Sequence, residues 1–221
     1  MNLLLFYKDT CVIQLPKSGS NTFFNCHSTL AGSFVPYDLG PNFSIKNYRP
    51  ISKKKLYFHL RKPLDRFFAG LRQDFIDSKQ TNLEYFCQTR IDQLLAQKRK
   101  NYYEQNCVSH INEKIVFRIK RILELTNDWW DTINIHDATK INKWLETNWN
   151  IKNIVKKNSH KKKLRNEMDN LRRKNLEWNE KISNIDFIKE EVELYTHIDK
   201  TFAPARLYEI LIKLKKIKTT L

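Results

Sequence analysis

Seven residues near the amino terminus, Pro16-Lys17-Ser18-Gly19-Ser20-Asn21-Thr22, combine the groups that hold a phosphate. Lys17 supplies a point charge, and Ser18, Ser20 and Thr22 supply hydroxyls. Before them, Cys11 to Leu15 is a short apolar strand that stops at Pro16. After them, Phe23, Phe24, Cys26 and Leu30 follow at helical spacing. The order strand, polar turn, helix leaves backbone N–H groups unpaired at the helix start, where the helix dipole adds partial positive charge. Gly19 suits the tight turn this order needs. The pattern is not a Walker A loop, because GxxxxGK[ST] is absent and the lysine precedes the glycine. The same residues also make a plain helix start with Ser20 as N-cap.

A second cationic turn lies further on. Leu56 to Leu60 reads as an aromatic-rich strand that ends at Arg61-Lys62-Pro63. Apolar residues at 64, 67, 68, 71 and 75 then predict an amphipathic helix from Leu64 to Ile76. Two histidines are candidate bases: His27, about two turns into the first helix, and His59, two residues before Arg61 and so on the same strand face. Either also fits a structural role, and His110 and His160 read as structural or solvated. Residues 151–175 hold ten Lys or Arg against Glu167 and Asp169. This run is a solvated helical face or a groove for an anionic acceptor or donor, with Lys161, Lys162, Lys163 and Arg165 foremost.

These groups need a scaffold, and 221 residues suit one domain spanning 1–221. Leu3–Tyr7 is expected to pair with the strand at 11–15, and 32–55 to be an irregular connection. Helices are expected at 83–106, 138–149 and in two pieces after Ile185, with a short one opening at Asp128-Trp129-Trp130-Asp131. Ile115 to Ile119 reads as a third core strand. Alternating strands and helices imply an α/β fold, a mostly parallel sheet of about four or five strands flanked by helices. Trp129, Trp130, Trp144 and Trp149 read as core, whereas Trp178, in a polar stretch, is read as exposed enough to stack on a sugar or base.

Composition bounds the function. The hydrophobic fraction of 41% excludes global disorder despite a mean hydropathy of -0.62. A formal net charge of +16 calls for an anionic partner. Cys11, Cys26, Cys87 and Cys107 lack CxxC spacing and clustered histidines, so neither a zinc site nor a disulfide framework is expected. No run approaches the length of a membrane span, and the Leu3–Phe6 apolar run lacks a basic flank and is too short for a signal core. A cytoplasmic protein with reduced thiols is the expectation.

The first turn, Leu15-Pro-Lys-Ser-Gly-Ser-Asn-Thr22, resembles the 5′-phosphosulfate loop of the sulfotransferases that use 3′-phosphoadenosine 5′-phosphosulfate (PAPS). The second, Tyr57 to Gly70, resembles that family's 3′-phosphate segment, a strand ending in Arg-x-Pro-x-x-Arg-Phe-x-Ser-Gly that runs into a helix. The two blocks occur in the family's order. Fainter similarity, to the carbohydrate-acting branch, extends over Ile115 to Ile133 as its next strand and short helix, Asn158-Ser159 as its late turn and Glu193 to Asp199 as its terminal helix. The resemblance implies a P-loop-like sulfotransferase fold and metal-free transfer of a sulfuryl group from PAPS to an acceptor hydroxyl, releasing PAP. Lys17 would neutralise the leaving group, while Lys17, Ser18, Gly19, Ser20, Asn21 and Thr22 cradle the 5′-phosphate. Arg61 and position 69 would hold the 3′-phosphate, and His27 would take the acceptor proton. The family's serine is replaced by Ala69, which removes one hydroxyl contact of about 1 kcal/mol.

A carbohydrate acceptor follows from the resemblance and the basic charge, and a soluble bacterial or viral source from the lack of an amino-terminal anchor. The rival reading is a basic nucleic-acid or polyanion-binding protein on a degenerate sulfotransferase fold, which does not need the paired turns. A nucleotide kinase would need the Walker A loop and magnesium carboxylate that the chain lacks.

Overall fold

A computed structural model describes residues 3–13, 15, 17–18, 22, 33–36, 49–96, 114–152 and 161–214. These residues cluster into two compact units. The first holds 3–61, 114–152 and 190–214, and the second holds 62–96 and 161–189.

The first unit is built on an open, mixed sheet. Its strands are β1 (Leu3–Tyr7), β2 (Thr10–Ile13), β3 (Ser33–Pro36), β4 (Lys54–Leu60), β5 (Trp130–Asp137) and the two-residue β6 (Thr201–Phe202), in the order β3-β1-β2-β4-β5-β6. β2 pairs with β4 and β4 with β5 in parallel, whereas β1 is antiparallel to β2 and β3, and β5 to β6. The expectation of a mostly parallel sheet is therefore corrected to a parallel centre with antiparallel edges. The expected pairing of β1 with β2 holds, as a hairpin closed by Tyr7 and Thr10. The connection expected over 32–55 contains β3, whose edge position tolerates Pro36.

The expected strand at Ile115–Ile119 is instead the start of a helix running from Ile115 to Thr126. Its β-branched opening favours a strand, but Ile115, Ile119, Ile122 and Leu123 are all buried, and that spacing makes one helical face. The third parallel strand is β5, where Ile133 and Ile135 point into one core and Asn134 and His136 into the other face. Of the short helix expected at 128–131, only a 3-10 turn, Asn127–Trp129, is formed before β5 begins.

The unit's remaining helices cover both faces of the sheet. Numbered along the whole chain, the α-helices are α1 (Pro63–Ser78), α2 (Leu83–Ala96), α3 (Ile115–Thr126), α4 (Ile141–Trp149), α5 (Lys161–Lys174), α6 (Leu176–Ser183), α7 (Asp186–Tyr195) and α8 (Pro204–Leu214). α3 and α8 pack on Leu4, Phe6, Cys11, Ile13, Leu56, Phe58, Ile133 and Ile135. α4 packs through Ile141, Trp144, Leu145 and Trp149 on Leu5 and Val12. On this second face the buried Trp149 indole donates to Thr10 Oγ1 (2.9 Å), whose own hydroxyl donates to the Tyr7 carbonyl (2.7 Å). Thr10→Val removes both bonds and deprives the buried indole of this acceptor. A loss of about 1–3 kcal/mol is expected, read as a lower urea midpoint with an unchanged slope.

The second unit is helical. α1 begins with Pro63, whose missing N–H costs nothing at a helix start. α2 begins where Asn82 Oδ1 caps the Tyr85 N–H (3.0 Å). Phe67, Leu71, Phe86, Cys87, Ile91, Met168, Trp178, Ile182 and Ile188 form its core. Arg172 of α5 is not a free surface charge. It bonds Asp65 Oδ1 (2.7 Å) and Asn179 Oδ1 (2.8 Å) and lies over the Phe68 ring, so it joins α5 to α1 and α6. Trp178, expected to be exposed, is 1% exposed and donates to Gln88 Oε1 (2.7 Å). No helix among the described residues is long and apolar enough to cross a membrane.

Candidate functional site

The parallel strands β2, β4 and β5 all finish at one edge of the sheet, so the turns that follow them leave side by side. In open α/β sheets this carboxyl edge is where ligands bind. β2 and β4 are neighbours in register, Ile13 opposite Phe58, so the turn holding Lys17 and Ser18 and the turn opened by Arg61 share that edge.

The first turn closes through the Ser18 N–H, which donates to the Leu15 carbonyl (3.3 Å). Lys17 is half-buried in the left-handed region, with φ 56°. A non-glycine residue there costs of order 1–2 kcal/mol. Ser18 is 3% exposed, and its Oγ has no hydrogen-bond partner among the described residues. A buried hydroxyl left unmade costs about 1–3 kcal/mol, which an incoming oxygen acceptor would offset. Thr22 has helical backbone and is half-buried. Gly19, Ser20, Asn21 and His27 lie outside the described residues.

Arg61 is half-buried at the end of β4. Arg66 and Ala69, both in α1 of the second unit, are buried. His59, on the strand face shared with Arg61, is 2% exposed. Burial, helped by the neighbouring His136, pushes its pKa down to about 3. A ring so enclosed does not meet an acceptor, and it stays neutral through the physiological range. Because the folded pKa lies below the ordinary value, the unfolded chain binds the proton more readily. His59 therefore contributes stability that is complete above about pH 6.5 and is lost as pH falls toward 3, at up to about 1.4 kcal/mol per pH unit. The prediction is that His59→Leu flattens the acid limb of stability between pH 6 and pH 4, as read by urea midpoints at successive pH values.

A polar cluster that sequence reasoning missed surrounds the end of β5. His136 sits opposite His59 in register. Its ring stacks on Tyr57 (centroids 5.6 Å, interplanar 17°) and on His59 (5.7 Å, 29°). Trp144 meets the His59 ring edge-on at 5.1 Å. His136 Nδ1 faces Asp199 Oδ1 at 3.5 Å, and Lys140 Nζ bonds the other oxygen, Oδ2, at 2.7 Å. Lys140 first, and His136 after it, holds the Asp199 carboxyl below its ordinary range. His136 itself is pushed down by burial, against the pull of Asp199. Asp137 accepts from the Thr139 N–H (2.8 Å) and the Tyr195 hydroxyl (3.3 Å). The alternation in Trp130–Asp137 was the available signal, obscured because Asp128-Trp129-Trp130-Asp131, which overlaps its start, reads as a helix opening.

The two described cysteines are not reactive centres. Cys11 is buried and its thiol is pushed well up, and Cys87 is pushed up to about 12, in both cases chiefly by burial. Among the described residues no group of three or more His, Cys, Asp or Glu is arranged to hold a metal ion. No protein-family model, curated protein or solved structure shows significant similarity to this chain.

Proposed function

We propose that the chain is a sulfotransferase that moves a sulfuryl group from PAPS to a hydroxyl of an acceptor, a carbohydrate by preference. One observation carries the reading. The two turns that resemble PAPS-binding segments leave the carboxyl ends of adjacent parallel strands, with Lys17 and Ser18 on one and Arg61 on the other. Two anionic ends of one nucleotide would find their counter-groups there. Lys17 would neutralise charge building on the leaving phosphate, and a preorganised cation is worth most at that position. Ser18, with Gly19, Ser20, Asn21 and Thr22, would surround the 5′-phosphate. Arg61 would take the 3′-phosphate through its planar fork. Ala69 offers that phosphate no hydroxyl, so Arg61 would carry more of its binding. The resemblance alone assigns the acceptor's proton to His27, which lies outside the described residues.

Calorimetric titration with PAP, beside ATP and ADP, tests the reading. Saturable PAP binding with little heat from ATP or ADP is expected. Equal binding of all three, or none, would contradict a PAPS site.

A second reading has its own observation. On α5, Lys162, Lys163, Arg165, Arg173 and Lys174 are exposed, and no acid occupies the first turn. This arrangement suits a polyanion. If PAP does not bind, and an oligonucleotide binds with a steep salt dependence that charge-neutral α5 variants flatten, the polyanion account takes over.

A further inference from the structure

We propose that His136, oriented by Asp199, is the group that takes the proton from the attacking hydroxyl. The inference rests on the sulfuryl-transfer reading above and names the proton acceptor of that same site.

The first argument is position. β5 lies next to β4, with His136 level with His59 and Asp137 level with Leu60, the last residue before Arg61. His136 is thus one strand away from the Arg61 turn and two strands away from β2, the strand that leads to Lys17. Two strand spacings are about 10 Å, a distance suited to an acceptor lying between the donor's sulfur and this ring.

The second argument is orientation. Tyr57 and His59, two residues apart on β4, both stack against the ring. Its Nδ1 looks at Asp199 Oδ1, 3.5 Å away. Asp199 cannot easily drift. Its backbone sits at φ 61°, its N–H donates to the Ile135 carbonyl (2.8 Å), and its second carboxylate oxygen is tied to Lys140. A carboxylate on the Nδ1 side fixes the proton on Nδ1 and leaves the Nε2 lone pair to receive another.

The third argument is access. The His136 side chain is 29% exposed, whereas His59 is enclosed. The charged and titratable groups around His136 are Tyr57 and His59 from β4, Lys140 from the turn after β5, Asp137 next in the chain, and Asp199. Of these, Asp199 stabilises the imidazolium, and Lys140 limits that gain, so the ring can release the proton again.

In the step itself the acceptor oxygen forms a bond to sulfur. The bond from sulfur to the bridging oxygen breaks, and PAP leaves with that electron pair. The hydroxyl proton passes to His136 Nε2 and then to solvent.

The test is nitrogen NMR of the histidine rings, with PAP as the probe and calorimetry on the same sample. In the free protein near pH 7.5, His136 is expected as the Nδ1–H form, and Asp199→Asn is expected to mix the two neutral forms. Saturating PAP is expected to move the His136 ring signals and to raise the pH at which the ring protonates, because an anion then lies nearby. Neither change is expected in Lys17→Ala. An Nε2–H form in the free protein overturns the inference, and so does a His136 signal indifferent to bound PAP. PAP that fails to bind by calorimetry is a different failure: the sulfuryl-transfer reading itself falls, and the inference with it.

Discussion

Lys17→Gly is expected to bind PAP about 10- to 100-fold more weakly than the parent chain while being no less stable. The affinity loss follows from removing one charged hydrogen-bond donor from a phosphate, a change of about 1.5–3 kcal/mol. The stability follows from the backbone. Lys17 sits at φ 56°, where any side chain beyond Cα is crowded. Glycine has no Cβ to crowd, and this relief of about 1–2 kcal/mol offsets the extra freedom it gives the unfolded chain, about 0.5–1 kcal/mol. Lys17→Ala should lose the same affinity without that relief. Calorimetry with PAP and urea midpoints on both variants separate the two effects. Unchanged PAP affinity in either variant would remove Lys17 from the site. A Lys17→Gly variant clearly less stable than Lys17→Ala would mean that the backbone cost is not borne at this residue.

The second large effect is one of stability. Trp178→Ala is expected to cost about 3–5 kcal/mol. Trp178 is 1% exposed among Phe86, Cys87, Ile91 and Ile182, and its indole donates to Gln88 Oε1 at 2.7 Å. Truncation opens a cavity in the helical unit and breaks the link between α6 and α2. Trp178→Phe should cost much less, because most of the volume stays and one hydrogen bond is lost. Urea unfolding gives the sizes, and amide exchange should show lost protection concentrated in α2 and α6. A Trp178→Ala chain with its midpoint unmoved would mean that the side chain is on the surface, as the polar sequence around it suggests.

Trp178 illustrates what single-sequence patterns miss. Asn175, Glu177, Asn179, Glu180 and Lys181 surround it, yet on a helix Glu177, Asn179 and Glu180 turn away from the face shared by Trp178 and Ile182. The polar neighbours and the buried tryptophan are the same amphipathic helix read at two window lengths. The Ile115–Ile119 misreading has the same origin. Four β-branched or aromatic residues among five favour a strand, and only the later buried positions at 122, 123 and 126 reveal the helical period. β1, β2, β4 and α1 were legible because apolar runs bounded by Pro16, Pro63 or a polar turn specify both type and ends. The short edge strands β3 and β6 were not, since four and two residues carry little periodic signal and their backbone pairing owes nothing to side-chain pattern.

The candidate site divides along the same line. Lys17, Ser18 and Arg61 could be named because the turns around them are local in sequence. His136, Asp199 and Lys140 could not, because His136 and Asp199 lie 63 positions apart in the chain and only sheet pairing and the turn before β6 bring them together.

The measurement that bears most directly on the central claim is a crystal structure with PAP. The account predicts the nucleotide across the carboxyl ends of β2 and β4, its 5′-phosphate on the Lys17–Ser18 turn and its 3′-phosphate on Arg61. A nucleotide bound elsewhere, or a crystal soaked at high PAP concentration with that edge still empty, would contradict it.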